Sequence, residues 1–471
     1  MAADAHFNKR IKVNKFRQAG YGFFLGNAFL FLAVMASNKL TGVVSWPGTM
    51  VVLLVFAVSG AITARLAPKQ QGINTETSDA SVPALSKAVF AFAMLLMVIH
   101  LVFIAVEIIT QPLYPWDAWA AWVYRAKAWF LSGGIAGITS PSYWATVNSA
   151  DLYTFDAWSY PPFASIIPYW AALSLGRWSE TLINLPVFFA GLAIGMGLYG
   201  QCREHGLNIL YSLMTCYLLF SIPLLGTHLA LAGYADIWMA GFTGLGFIAI
   251  MRGTITYEED AKSWMNVTLG LLMILFSLWV KNEGAVWFLA AIALVTLSAF
   301  RPRVPLLIVA AIMTVALLTV VLGHTFIEIP FIGKLGLVNN RLAIPFIGYF
   351  NLEVHDVRSV YWANLIKMGS WNLFWVAVAC SLLLVFKTST PSSGYRINRT
   401  VMSFILIFIA TQIFIFGFTN KGLWADTYTA INRLPLHFIP ALLFAAVITV
   451  HARLIKMDPG AAIREHHDGD N

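Results

Sequence analysis

The chain has 471 residues, of which 59% are hydrophobic and 11% charged, against roughly 45–50% and about 25% in soluble globular domains. Those proportions exclude an ordinary soluble enzyme, and 34 Phe, 17 Trp and 16 Tyr exclude a disordered chain, so the apolar surface belongs in a bilayer. The net charge of +8 comes from basic residues in short segments between apolar runs; it reads as positive-inside bias, not as a nucleic-acid surface.

A helical span needs about 20 mostly apolar residues, and the apolar runs predict an all-α polytopic membrane protein of about 12 transmembrane helices in one domain, 1–471. The first run, Tyr21 to Ala36, follows Lys9, Arg10, Lys12, Lys15 and Arg17, which places the N-terminus in the cytoplasm. Val34-Met35-Ala36 fits a signal-peptide cleavage site, but an uncleaved anchor is the expectation. Val44 to Ala64 and Val89 to Ile109 follow. Residues 110–180, rich in Trp, Tyr, Pro and Asp, hold no clean span and are expected to form a large exterior loop with interfacial helices. Within it, Ile166 to Leu175 is too short to cross.

Leu182 to Tyr199, Ile209 to Leu225, Ile237 to Met251, Trp264 to Val280, Ala285 to Phe300 and Leu306 to Leu322 are the next expected spans. A second exterior loop, 323–368, precedes Trp371 to Phe386, Val401 to Phe418 and Leu434 to Val450. The tail with Arg453, Lys456 and Arg464 then returns both termini to one side, the cytoplasm. Cys202, Cys216 and Cys380 are odd in number and lack metal-ligand spacing, so neither a disulfide framework nor a zinc site is expected.

Charges near a bilayer are costly and usually face a cavity or a partner. Four clusters on the expected exterior side draw weight. In Tyr114-Pro115-Trp116-Asp117-Ala118-Trp119, the residues Trp119, Trp122, Ala126 and Trp129/Phe130 recur at helical spacing as an aromatic face for the headgroup layer. Asp117 sits at the start of that helix, where a carboxylate stays ionised beside a substrate. Asp156 and Tyr160-Pro161-Pro162-Phe163 form the second cluster; Asp156 reads equally as a cap for the proline turn. Gly233-Tyr234-Ala235-Asp236 is the third, with helix capping as the alternative role for Asp236. Lys281-Asn282-Glu283-Gly284 is the fourth, in which Lys281 would otherwise pair with Glu283 or reach lipid headgroups. Asp426, Asn432-Arg433 and His437 precede or open the last span from the same side. Carboxylates suit a general base or Mg²⁺/Mn²⁺ ligation, and Lys281 with Arg433 suits a lipid phosphate.

In this order the features resemble the GT-C superfamily of integral-membrane glycosyltransferases, in particular the bacterial family-39-like enzymes related to protein O-mannosyltransferases and aminoarabinose transferases. The resemblance runs from about Val89 onward through Asp117, Tyr160-Pro161-Pro162-Phe163, Glu180 to Pro186, Asp236 and Lys281 to Gly284. It departs where Tyr160 replaces the usual histidine, where the usual Asp-Glu pair reads Asp117-Ala118, and in two added N-terminal spans. By the resemblance, the role of the missing second acid would fall to Asp151 or Asp156. What the resemblance implies is transfer of a sugar, with inversion, from a polyprenyl-phosphate donor to a lipid, protein or polysaccharide acceptor at the periplasmic face of a bacterial inner membrane. Asp117 and Asp236 would be catalytic, the latter supporting the acceptor or a metal; Lys281 and Arg433 would bind the donor phosphate; Asp156, Tyr160, Glu283 and His437 would line the substrates. The rivals are a lipid-linked glycan polymerase or ligase, a transporter or flippase, which predicts broken helices, and a scaffold role.

Overall fold

The computed structural model describes residues 14–66, 84–147, 149, 152–256, 263–300, 326–329, 333–338, 341–344, 348–384 and 392–457. They are mostly helical, and they fall into two compact units: Met1–Leu245 with Phe276–Gly284, and Gly246–Leu275 with Ala285–Asn471. Among the described residues six helices are long and apolar enough to cross a membrane: Lys15–Thr41, Lys87–Thr110, Leu182–Glu204, Asp236–Thr256, Tyr395–Phe418 and Leu434–Arg453. A bent pair makes a seventh if counted as one span, and five apolar helices are shorter. The expected span Leu306 to Leu322 and Asp151 lie outside the described residues.

The first unit begins with α1 (Lys15–Thr41), started by Asn14, whose side chain accepts from the Phe16 amide, and stopped by Gly42 in the left-handed region at φ 72°. Helix α2 (Trp46–Leu66) and helix α3 (Ala84–Thr110) follow; α3 leaves Phe92, Leu95, Val102 and Phe103 exposed, the surface a span turns to lipid. The first loop carries a π-helical turn Ala118–Trp122, then α4 (Val123–Leu131), a two-residue strand β1 (Gly137–Ile138), the short α5 (Pro141–Trp144) and strand β2 (Leu152–Tyr153), which pairs parallel to β1. Helix α6 (Phe163–Leu175) is the short apolar segment of that loop, and α7 (Leu185–Glu204) is the next long helix.

Helices α1 and α7 meet backbone to backbone. A Cβ on Gly20 would stand 2.4 Å from the Gly197 nitrogen and 2.5 Å from the Ala193 oxygen, and one on Gly200 would stand 2.3 Å from the Arg17 nitrogen. Small residues allow such contact where dispersion, not water exclusion, holds helices together. Arg17 Nη1 donates to Glu204 Oε2 at 2.9 Å and the Asn14 amide to Glu204 Oε1 at 2.7 Å, tying the first turn of α1 to the end of α7. In the middle, Gln201 Nε2 donates to the Tyr21 hydroxyl at 2.7 Å, which donates to the Leu245 carbonyl at 2.7 Å. Gly20→Leu should therefore lower stability by about 3 kcal/mol or more, as overpacking against backbone does, whereas Gly22→Leu, with open space around it, should change little. Thermal unfolding of both purified variants in detergent tests this; equal midpoints would refute it.

Ile209 to Leu225 is not one straight span. Helix α8 (Ile209–Phe220) ends, and α9 (Pro223–Ala230) starts, with a bend of 66° between them. Pro223 has no amide hydrogen to continue α8 and sits in the first turn of α9, where none is needed. Next, α10 (Asp236–Met239) runs through a second π turn, Ala240–Gly244, into α11 (Leu245–Thr256). Gly241 makes room for Phe24: a Cβ there would fall 1.9 Å from the ring. Phe24 thereby reaches Phe242 (centroids 5.2 Å) and Trp238 (6.0 Å), and Phe163 packs on both. This buried aromatic cluster anchors α10 through Trp238.

The second unit contains most of α11, then α12 (Ser263–Phe276) up to Leu275 and α13 (Gly284–Ala299) from Ala285. Phe247 packs on Phe404 at 5.4 Å and on Phe438 at 5.3 Å, and Trp287 meets Phe438 edge-on at 4.7 Å. The second loop adds a sheet: β3 (Phe326–Ile329), β4 (Gly333–Val338), β5 (Arg341–Ile344) and β6 (Gly348–Asn351) form an antiparallel meander in that order. The register pairs Gly336 with both Phe326 and Ala343, and Leu342 with Phe350.

Candidate active site

Asp236 does not cap its helix. Ala235 is the cap residue and makes no side-chain cap bond, while Asp236 is the first residue of α10. Its Oδ1 accepts a hydrogen bond from Lys281 Nζ at 3.1 Å, and the two side chains are only 1% and 6% exposed. Lys281 thus pairs with Asp236, not with Glu283. Two charges removed from water persist when each neutralises the other, and the first turn of a helix adds its own positive end to the carboxylate's surroundings.

The turn that presents Lys281 depends on Gly284. A 3-10 turn, Ser277–Trp279, closes α12; the Lys281 amide bonds the Ser277 carbonyl at 3.1 Å and the Gly284 amide bonds the Lys281 carbonyl at 3.0 Å. A Cβ on Gly284 would lie 2.3 Å from the Ser277 oxygen, so the chain folds back on itself too closely for any other residue. Glu283, the neighbour on this turn, is half-buried.

Asp117 is brought to the same region through its neighbour. Gly233, at φ 113°, packs so closely on Ala118 that a Cβ would stand 2.6 Å from the Ala118 Cβ. The segment after Asp117 therefore lies against the turn three residues before Asp236. Ala118 and Val123 are buried with Ala172 and Ile183, with Leu113, Phe130 and Trp178 packed around them. Asp117 itself is half-buried and precedes the π turn 118–122, just as α10 precedes the π turn 240–244. Single π turns inside α-helices are frequent at functional sites. Val123, Ala164, Asn184, Gly233, Tyr234 and Trp238 line a tight crevice beside these segments.

The expected aromatic face of the first loop divides. Trp122 and Trp129 are buried in the unit, while Trp116 and Trp119 are exposed. The π turn adds a residue to one helical turn and so breaks the 3.6-residue register that the spacing assumed. Trp122 meets Tyr160 edge-on at 5.2 Å. Asp156 is exposed and caps nothing: the helix after the proline pair begins at Phe163 with Pro162 as its cap residue.

What holds the Tyr160 segment is Arg125, a residue whose sequence signal was only a charge among aromatics. Arg125 Nη1 donates to the Tyr160 carbonyl at 2.9 Å, and Nη2 to the carbonyls of Trp158 at 3.2 Å and Ala157 at 3.4 Å. Its guanidinium lies over the Phe155 ring at 4.9 Å. Burial pushes its pKa from 12.5 down to about 10, leaving it cationic at neutral pH. Nearby on α4, Lys127 pairs with Glu180 at 2.6 Å, and Trp178 Nε1 donates to the same carboxylate at 2.8 Å. Glu180, at the start of the Glu180-to-Pro186 stretch, is thus fixed to the first loop.

Arg433 and His437 belong to the second unit. Arg433 is half-buried at the head of the 3-10 turn Leu434–Phe438. His437, within that turn, is buried and its Nδ1 accepts from Trp287 Nε1 at 3.1 Å. Among the described residues no three His, Cys, Asp or Glu side chains gather as metal ligands. With Lys281 Nζ seated on Asp236, the donor set does not fit Mg²⁺ or Mn²⁺, and no step is routed through a metal.

The chain matches no protein-family model, no curated protein and no solved structure. Length and apolarity of its helices define the class: a mostly helical, membrane-embedded protein.

Proposed function

We propose that the protein is an inverting glycosyltransferase that moves a sugar from a polyprenyl-phosphate donor to an acceptor hydroxyl at the membrane edge. The observation that carries the reading is the buried Asp236–Lys281 pair, set at the heads of apolar helices beside the Asp117 segment. In this reading Asp117 takes the proton of the acceptor hydroxyl as its oxygen bonds the anomeric carbon from the face opposite the phosphate. The bond between that carbon and the phosphate oxygen breaks, and polyprenyl phosphate leaves with the electron pair. Lys281 stabilises the charge that develops on the leaving phosphate, and Asp236 holds Lys281 in place until it does. As the resemblance implies, Asp156, Tyr160 and Glu283 would lie toward the substrates. The topology proposed with it is about 12 spans, both termini in the cytoplasm and the site on the periplasmic face of a bacterial inner membrane.

The bend between α8 and α9 favours one rival, because discontinuous helices also build transporter sites. A single assay separates them. Purified protein in detergent is given a panel of polyprenyl-phosphate sugars and a crude acceptor extract, and free polyprenyl phosphate is measured. Release with one sugar is expected and names the donor; no release with any donor from folded protein would remove the transferase reading and leave transport.

A further inference from the structure

Asp117 is flanked in the chain by two exposed tryptophans. Trp116 is 62% and Trp119 50% exposed, and Tyr114 just before them is exposed as well. The two indoles meet edge to face, with centroids 4.5 Å and planes 65° apart, and so form a corner. The backbone beneath holds it: the carbonyl of buried Pro115 accepts from the Ala118 amide at 3.0 Å and from the Trp119 amide at 3.5 Å. Trp119 Nε1 donates to the Tyr114 carbonyl at 3.3 Å. An indole that anchors a protein in the headgroup layer keeps its N–H for the wet side. That of Trp119 is turned back onto its own chain, so what this residue offers a partner is the apolar face of its ring.

A partner that engages both the corner and the half-buried Asp117 beside it needs an apolar surface next to a hydroxyl. An acyl chain covers indoles and brings nothing for the carboxylate. The serine or threonine hydroxyl of a peptide has no flat apolar face around it. A sugar ring has both, C–H groups on its face and hydroxyls at its edge, the combination of aromatic lining and a few placed polar groups that binding sites use. We propose, on the transferase reading above, that the acceptor hydroxyl is carried by a sugar ring stacked on the Trp116–Trp119 corner. Its oxygen forms the bond to the anomeric carbon of the donor while Asp117 takes its proton and polyprenyl phosphate leaves with the electron pair.

The test uses the full chain purified in detergent, the polyprenyl-phosphate sugar panel and the crude acceptor extract, divided into three portions. One is untreated, one is oxidised with periodate, which cleaves the vicinal diols of sugars, and is then quenched, and one is digested with protease. Release of polyprenyl phosphate should be lost with the periodate portion and kept with the protease portion. Trp116→Ala and Trp119→Ala should each raise the amount of untreated extract needed for half-maximal release by about tenfold, with the half-saturating donor concentration at the wild-type value. Trp119→Phe keeps a ring face and should stay within about twofold of wild type. Release that survives periodate or disappears after protease would overturn the proposal and leave the transferase standing. A wild-type acceptor requirement in both alanine variants would assign the corner to the lipid interface, and an equal rise in donor and acceptor requirement would assign it to the build of the loop; either overturns the proposal. No release from any donor with untreated extract would remove the transferase reading and this acceptor with it.

Discussion

Lys281→Met is expected to destabilise the protein by about 3–5 kcal/mol, because it removes an ion-pair partner from the buried Asp236 carboxylate. The carboxylate is 1% exposed and the contact is 3.1 Å, so solvent screens the pair little and the loss is not softened as it would be on a surface. Asp236→Leu should be comparably harmful, for it takes the carboxylate partner from the buried ammonium instead. The double variant Asp236→Leu with Lys281→Met should be more stable than either single one, since replacing both buried charges by apolar groups removes the desolvation penalty together with the attraction. Thermal unfolding of the four proteins in one detergent reads this order directly. Were each single variant to unfold at the wild-type temperature, the pair would be surface-like and its place in the proposed chemistry would fall with it. The activity pattern should differ from the stability pattern: the double variant recovers its fold and stays inactive in polyprenyl phosphate release.

The long helices were legible because a bilayer imposes length and apolarity directly on sequence. Tyr21 to Ala36, Val89 to Ile109 and Leu182 to Tyr199 each lie inside helices of the structure. Pro223 marked the break between α8 and α9, but a hydropathy sum averages over a single proline, so the bend did not register. The meander of 326–351 left no comparable trace: its strands have four to six residues, too short for an alternation to stand out in a chain this apolar. At the site, residue types were readable and pairings were not. Asp236 and Lys281 are 45 positions apart, and local reasoning gave each a nearby explanation, a cap for one and Glu283 for the other. Long-range packing, such as that of Phe24 in the Gly241 notch, and the fold-back at Gly284 help to set their places. Arg125 stands out in sequence as a charge among aromatics but takes no role there, because its partners are backbone carbonyls, which carry no residue identity for a sequence reader to match.

Asp117→Asn is expected to lower the rate of polyprenyl phosphate release by about 10²–10⁴, the range for removing a general base, a loss far larger than any accompanying loss of folded protein. The two readouts part because of where Asp117 stands. It is half-buried, it makes no side-chain cap bond to the π turn that follows, and Asn keeps its shape. The loss should appear in kcat with little change in KM, since a base acts on the proton in transit and contributes little to holding the donor. Asp236→Asn makes the useful contrast: it weakens a buried ion pair, so it should lower both activity and unfolding temperature. A wild-type rate in Asp117→Asn would remove the aspartate from the base role and point to the exposed carboxylate of Asp156, whose loop Arg125 fixes to α4. A rate loss matched by an equal loss of folded protein would assign Asp117 to the architecture of the first loop instead.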